Sequence, residues 1–465
     1  MALDIVIMAA GKGTRMKSDR PKVLHPLAGV SLLQHVLNSV SAVHAERIIV
    51  VTGHGADAVE ASLPAPRPHF VRQMPQLGTG HAVQQAVPLL HDDGITLILN
   101  GDTPLIEAAT LRSLVEACGG TKLALLTVVL DDASGYGRIV RAAPTPCDPD
   151  PGITAIVEHK DATPEQRAIH EVYTGAMAAP TAQLKQWLAR LGNRNAQGEY
   201  YLTDVVALAV AEGVPVVAAQ PRRVTEVLGV NSAQQLATLE RLLQRDRADA
   251  LMDAGVRLAD PARLDVRGEL QCGSDVAIDV NCVFEGTVRL GDRVTIGANC
   301  VIRNAVIAHD AVIHPYTHID GDALGVSVGP GSLIGPFARL RPGAVLGAEV
   351  HIGNFVEVKN STLADGAKAN HLAYLGDATV GRRVNFGAGS ITANYDGAHK
   401  HRTEIGDDVH VGSNCVLVAP LTLGAGSTLG GGSTITKDTP PGALAVARGK
   451  QVNLPQWKRP AKKGG

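Results

Sequence analysis

The sequence predicts two halves built on different principles: an α/β domain around a mostly parallel sheet, then a parallel β-helix of six-residue repeats. Three observations carry this. Short apolar runs alternate with longer stretches of helical spacing through the first half. From Leu264 onward, apolar residues recur at every sixth position. Of the 50 glycines, 20 fall in residues 1–263 and 30 in residues 264–465, and aromatics are 3% of the 465 residues, as a narrow coil with many corners requires.

The same figures exclude several classes. The 43 Lys and Arg against 45 Asp and Glu leave a net charge of −2, without the basic excess of a nucleic-acid binder. No run of ~18 apolar residues offers a membrane span. The opening MALDIVIMAAGKGTRM lacks a basic n-region and enters a Gly-rich loop, so it reads as a first strand and not a signal peptide. Cys118, Cys147, Cys272, Cys282, Cys300 and Cys415 show no CxxC spacing and read as small buried residues of a reducing, cytoplasmic protein.

In the first half, Ile5–Ala9, Arg47–Thr52, Ile95–Leu99 and Leu123–Val129 read as buried strands, with helices over Ser31–Val43 and Gly80–Leu90. A mostly parallel sheet binds ligands at the carboxyl ends of its strands. Two motifs stand there. Ala9-Ala10-Gly11-Lys12-Gly13-Thr14-Arg15-Met16 follows the first strand; its glycines and exposed N–H groups suit phosphate oxygens, and Lys22 could bring a second cation. It is neither a P-loop nor a full dinucleotide fingerprint, and a plain tight turn is the competing reading. Asn100-Gly101-Asp102 ends the third strand. Its carboxylate suits Mg²⁺, with the Asn231 amide as a second oxygen, or else it caps the next helix. Gln73, Gly78-Thr79, Gly137 and Glu158 are individually loop residues.

Residues 231–253 carry Leu236, Leu239, Leu242 and Leu243 at helical spacing with Ser232 as N-cap, and read as a helix between the halves. Beyond it, positions 264 to 312 in sixes are Leu, Leu, Val, Cys, Val, Val, Cys, Val and Val, with a second apolar series two places on. After a phase slip near Ala323–Val328, the period returns over Val328–Val358 and Ile405–Ile435. Three hexapeptides make one triangular coil, and about 170 residues make roughly nine. Such a solenoid can be a passive scaffold. Residues 359–375 and 393–404 leave the period, however, and read as inserted loops of the kind that carry function.

The ordered motifs AAGKGTRM, PKVLH, QLGTGHA, GDTPL, GYGRI, VEHKDAT, NAQGEYYLTD and GVN resemble the sugar-1-phosphate nucleotidyltransferases. ARLRPG, IGNFVEVK, NHLAYLGD, NFGAGSITANYDG and VGSNCVLVAP resemble the hexapeptide acyltransferases. Together they resemble, along essentially the whole chain, the bacterial family that joins N-acetylglucosamine-1-phosphate uridyltransferase to glucosamine-1-phosphate acetyltransferase. The resemblance implies a Rossmann-like mixed-sheet nucleotidyltransferase domain (1–233), a linker helix (234–254) and a left-handed β-helix acetyltransferase domain (255–465). It implies a cytoplasmic homotrimer supplying cell-wall and lipopolysaccharide precursors. Its small-molecule partners would be glucosamine-1-phosphate, N-acetylglucosamine-1-phosphate, UTP and acetyl-CoA, with Mg²⁺ as cofactor.

Matched position by position, the resemblance puts Met8, Ala9, Ala10, Gly11, Lys22, Gln73, Gly78, Thr79, Asn100, Gly101, Asp102, Gly137, Glu158 and Asn231 around UTP and the UDP-sugar. Arg15 and Lys22 would neutralise phosphates, and Asp102 and Asn231 would hold the metal. His371 would be the general base of acetyl transfer, with Glu357 orienting it. Arg341, Lys359, Tyr374 and Asn385 would hold the acceptor sugar, and Ala388, Asn394, Tyr395, Ser413, Gly431 and Arg448 acetyl-CoA. Where the family pattern has Asn before Thr-Gly, this chain has Tyr173. Two rival readings remain: a single-activity nucleotidyltransferase whose β-helix only assembles subunits, and a scaffold with both sites decayed. His371, and the set Arg15, Lys22, Asp102 and Asn231, argue against them.

Overall fold

The four apolar runs become strands, each within a residue or a few of its expected limits. The computed structural model describes residues 1–142 and 151–459, so Cys147 lies outside the described residues. The chain divides into two compact units, Met1–Leu243 and Gln244–Gly465.

In the first unit, the main sheet has, among the described residues, the nine strands β1 (Ala2–Ala9), β2 (Arg47–Thr52), β3 (His69–Arg72), β4 (Gly94–Asn100), β5 (Leu123–Val129), β6 (Gly137–Arg141), β7 (Ile153–Val157), β8 (Glu171–Pro180) and β9 (Val216–Ala219). The sheet order is β9-β5-β8-β4-β1-β2-β3, with β6 and β7 paired beside β8. β1 runs parallel to β2 and β4, whereas β8 is antiparallel to both β4 and β5, so the sheet is mixed. Central strands buried on both faces explain the unbroken apolar runs: Ile5, Val6 and Ile7 are all fully buried. Ile5 and Ile7 pack on one side of the sheet and Val6 on the other. Helices cover these faces. Leu32–Ser41 starts at Ser31, whose Oγ accepts from the Gln34 amide, and Thr79–Ala86 follows the Gly78 loop.

The helix Ala233–Asp253 begins where expected, with Ser232 Oγ accepting from the Gln235 amide at 3.3 Å. Leu239 is buried with the first unit and Ala248 with the second. Among the described residues no helix is long and apolar enough to cross a membrane, and Cys118, Cys272, Cys282, Cys300 and Cys415 are free thiols.

The second unit is a left-handed parallel β-helix. Among the described residues one face stacks 11 short parallel strands, more than the nine coils expected. Inward positions follow the six-residue series: Val276, Cys282, Val288, Val294 and Cys300 are buried, and so are Ile334, Leu340, Leu346, Ile352 and Val358. Two expectations need correction. The period slips first at Asn304, earlier than Ala323. Val288 pairs with Ala305, so Ala305 and Ala311 point inward while Val306 is 51% exposed. The cause is a corner turned one residue early. Asn304 takes a positive φ of 47°, and its Oδ1 accepts from the Thr287 amide at 3.0 Å. A Cβ on Gly286 would stand 2.0 Å from that oxygen, so only Gly fits. The second correction concerns residues 359–375, which are no inserted loop. Thr362–Leu363, Lys368–His371 and Tyr374–Gly376 all join the ladders, in a coil one residue short. Residues 394–402, between the strands Ile391–Ala393 and Thr403–Ile405, are a true insertion.

Candidate functional site

The carboxyl ends of β1 and β4 open on a cleft of about 640 Å³. Met8, Ala9, Ala10 and Gly11 line it from β1 and its loop, and Asn100 and Asp102 from the end of β4. Arg15 and Lys22 enter from the Gly-rich segment. Gly13 lets them converge, for at its φ of 59° a Cβ would lie 2.7 Å from the Lys22 Cβ. Gln73, Gly78, Thr79, Gly137, Glu158 and Asn231 complete the expected set. Gly101 alone of the expected residues does not line the cleft. Its amide donates to the Met8 carbonyl at 2.9 Å and ties the two strand ends together.

The Lys22 ammonium contacts the Asp102 carboxylate and lies 3.2 Å from Asn231 Oδ1. Two hard oxygens therefore converge on one cation. Among the described residues there is no cluster of three or more His, Cys, Asp or Glu suited to a metal. One carboxylate and one amide suit Mg²⁺ whose remaining ligands are phosphate oxygens and water. Gln73 is buried, and its Nε2 donates to the Gly78 carbonyl at 2.9 Å, which shapes the loop ahead of the helix. Thr79 Oγ1 accepts from the Leu202 amide at 3.0 Å.

Glu158 is held in the cleft by the Thr203 hydroxyl, which donates at 3.0 Å. Burial pushes its carboxyl above the ordinary value, against the opposing pull of that hydrogen bond. Tyr173 lines the same cleft at 8% exposure, and its hydroxyl is buried without a hydrogen-bond partner among the described residues. Sequence reasoning passed over Thr203 and Glu199, although both stand in NAQGEYYLTD, and over Gln76 in QLGTGHA.

In the second unit, Arg341, Glu357, Lys359 and Tyr374 sit on adjacent coils of one face. Glu357 pairs in register with Tyr374, and Lys359 with Gly376. Lys400 lies against Lys359, and this side-chain contact holds the Lys359 ammonium below the ordinary lysine value, with burial and then the neighbouring charges of Lys400 and Arg341 adding to the effect. His371 ends the strand Lys368–His371 and is exposed. Its expected partner, Glu357, accepts instead from Arg341 Nη1 at 2.7 Å, and the His371 ring meets Asn354 Oδ1 at 3.0 Å. Asn385 lies one coil beyond, its Nδ2 3.2 Å from His410 Nε2.

The residues expected at acetyl-CoA follow the later coils. Asn394 is buried, with its amide nitrogen on Asp377, while Tyr395 is 62% exposed at the start of the insertion. The Ala388 carbonyl accepts from the Asn414 amide at 2.7 Å, and the Ser413 carbonyl from Gly432 at 2.8 Å. Arg448 donates to the Gly431 carbonyl at 2.8 Å.

Residues 5–258 match the MobA-like NTP transferase domain. Residues 273–313 match the hexapeptide repeat of succinyl-transferase, and 325–360 and 402–437 the bacterial transferase hexapeptide (six repeats). The bifunctional protein GlmU of Methylibium petroleiphilum is 72% identical over 465 residues, covering 99% of this chain and 100% of the relative. That of Polaromonas sp. is 66% identical over 476 residues, covering 99% and 98%. That of Albidiferax ferrireducens is 67% identical over 471 residues, covering 99% and 100%. With a nucleotidyltransferase unit followed by a hexapeptide-repeat unit over its whole length, the chain belongs to the GlmU family of bifunctional transferases.

Proposed function

We propose that the chain makes UDP-N-acetylglucosamine in two steps on separate units. Acetyl-CoA acetylates glucosamine-1-phosphate on the second unit, and UTP uridylates N-acetylglucosamine-1-phosphate on the first. The observation that supports this best is the first-unit cleft, where the cations Arg15 and Lys22, the pair Asp102 and Asn231, and the buried Glu158 face one space.

In uridyl transfer, a phosphate oxygen of the sugar attacks the α-phosphorus of UTP. The bond to the β-phosphate oxygen breaks, and pyrophosphate leaves. This chemistry asks for positioning and charge neutralisation, with no covalent enzyme intermediate. Asp102 and Asn231 would hold Mg²⁺, which supplies charge neutralisation and alignment of the triphosphate. Lys22 and Arg15 would neutralise the phosphates. Gln73, Gly78 and Thr79 take the uracil side, and Gly137 and Glu158 the sugar. The backbone of Met8, Ala9, Ala10 and Gly11 approaches the nucleotide, with Asn100 opposite and Gly101 behind it.

In acetyl transfer, the sugar amine attacks the thioester carbonyl, His371 takes the amine proton and the thiolate of coenzyme A leaves. Arg341 and Lys359 hold the sugar phosphate as fixed cations. Tyr374 and Asn385 orient the ring. Ala388, Asn394, Tyr395, Ser413, Gly431 and Arg448 face acetyl-CoA, in a homotrimer whose neighbouring β-helices complete each site. We place the enzyme in the cytoplasm, with a uridyltransferase domain at 1–233, a linker at 234–254 and an acetyltransferase domain at 255–465. A coupled assay that omits UTP or acetyl-CoA in turn tests the two steps. A fragment ending at Asp253 is expected to keep uridyl transfer and lose acetyl transfer; a folded fragment inert toward UTP would refute the division.

A further inference from the structure

We infer that Asn354 is the positioning residue of the acetyl-transfer base, holding the His371 imidazole through a hydrogen bond to Nδ1. The inference rests on the reading of His371 as that base. The strands His351–Asn354 and Lys368–His371 lie side by side in parallel, with Asn354 directly opposite His371. Each of the two residues precedes a corner in the left-handed region, Phe355 at φ 56° and Leu372 at φ 51°. The corners are clamped coil to coil: the Leu372 amide donates to the Asn354 carbonyl at 3.0 Å, and the Gly389 amide to the His371 carbonyl at 3.3 Å. The backbone thus fixes where both side chains start, and Asn354 Oδ1 reaches His371 Nδ1 at 3.0 Å.

A carboxamide oxygen only accepts, so Nδ1 carries the proton and donates it. Nε2 is left with its lone pair, the form a general base needs. Among the described residues no carboxylate forms an ion pair with this ring; Glu357 is engaged by Arg341 at 2.7 Å and Arg339 at 3.4 Å. The partner on the ring is neutral, and that has a chemical consequence. A carboxylate in its place would favour the imidazolium and keep the base protonated to higher pH. Beside the ring, Phe355 stacks on Phe337 with centroids 5.4 Å apart, and both share an open hollow with Asn354 and His371.

The test is acetyl transfer by the full chain as a function of pH, with uridyl transfer and thermal melting of each sample as the measure of folding. Asn354→Ala is expected to lower kcat for acetyl transfer by roughly tenfold, the worth of one net hydrogen bond, with KM for both substrates little changed. Asn354→Asp restores an acceptor. It is expected to recover most of kcat at high pH and to move the acid limb of the profile upward by about one unit. Wild-type kcat in Asn354→Ala would overturn the inference, as would an Asn354→Asp profile that is low at every pH with an unmoved limb. Full acetyl transfer by His371→Ala would instead overturn the reading on which it rests.

Discussion

Removing the hydroxyl of Tyr173 should have opposite effects on stability and on substrate affinity. The phenol is 8% exposed, its oxygen is buried, and among the described residues no group accepts from it. Burial, reinforced by the Glu158 carboxylate, holds its pKa well above the ordinary tyrosine value, so the group stays a neutral donor at any working pH. An unsatisfied buried hydroxyl costs about 1–3 kcal/mol. Tyr173→Phe keeps the ring and deletes that cost, so the first unit should gain about 1 kcal/mol, or about 2–4 °C in melting temperature for a unit of this size. If the bound sugar supplies the missing acceptor, the same change removes one hydrogen bond. KM for N-acetylglucosamine-1-phosphate should then rise by up to about tenfold while that for UTP hardly moves. Tyr173→Asn places an amide there at a shorter reach, and should change the same KM by about tenfold or less. Calorimetry of the full chain, and initial rates with each substrate varied in turn, read both effects. A less stable Phe variant with an unchanged sugar KM would show that the hydroxyl is already satisfied and faces away from the sugar. An equal, large loss for both substrates would show that Tyr173 only supports the fold.

Asp102→Ala removes the one carboxylate of the convergent pair and should reduce Mg²⁺-dependent uridyl transfer by several orders of magnitude, leaving acetyl transfer intact; unchanged uridyl rates would refute a metal-holding role for Asp102. Burial raises the Glu158 pKa, so the folded state holds this proton more tightly than the unfolded chain. Its contribution to stability is therefore full below the unfolded value and lost as pH rises through the folded one. Glu158→Gln, which keeps an oxygen for Thr203, should accordingly raise the urea midpoint of the first unit at about pH 7.5 and not at about pH 4, while weakening sugar binding; an equal shift at both would refute the assignment. Mixing His371→Ala with Asn394→Ala chains should restore part of the acetyl transfer if neighbouring chains complete one site, and full activity of a particle with a monomer's mass by light scattering would exclude that assembly.

Period and composition by themselves determined the two-part plan. A strand buried on both faces must be apolar throughout, and a coil of three short faces must put an apolar side chain inward at every sixth residue. Both constraints are local, and both are visible in Ile5–Ala9 and in the run from Val328 to Val358. The grouping of Arg15, Lys22 and Asp102 in one cleft was equally legible, because their segments follow the ends of the first and third expected strands, where a parallel sheet opens. Tertiary structure decided what depends on a corner or on a partner distant in the chain. The early slip at Asn304 turns on an amide that stands in for a missing residue against a bare Gly286, and no period reports it. Residues 359–375 look irregular because their coil is one residue short, yet ladder pairing keeps them in the wall and puts His371 on a strand. Stacking of coils then chose Asn354 over Glu357 as the imidazole's partner, since the ladder sets Asn354 opposite His371 and Arg341 draws the carboxylate away.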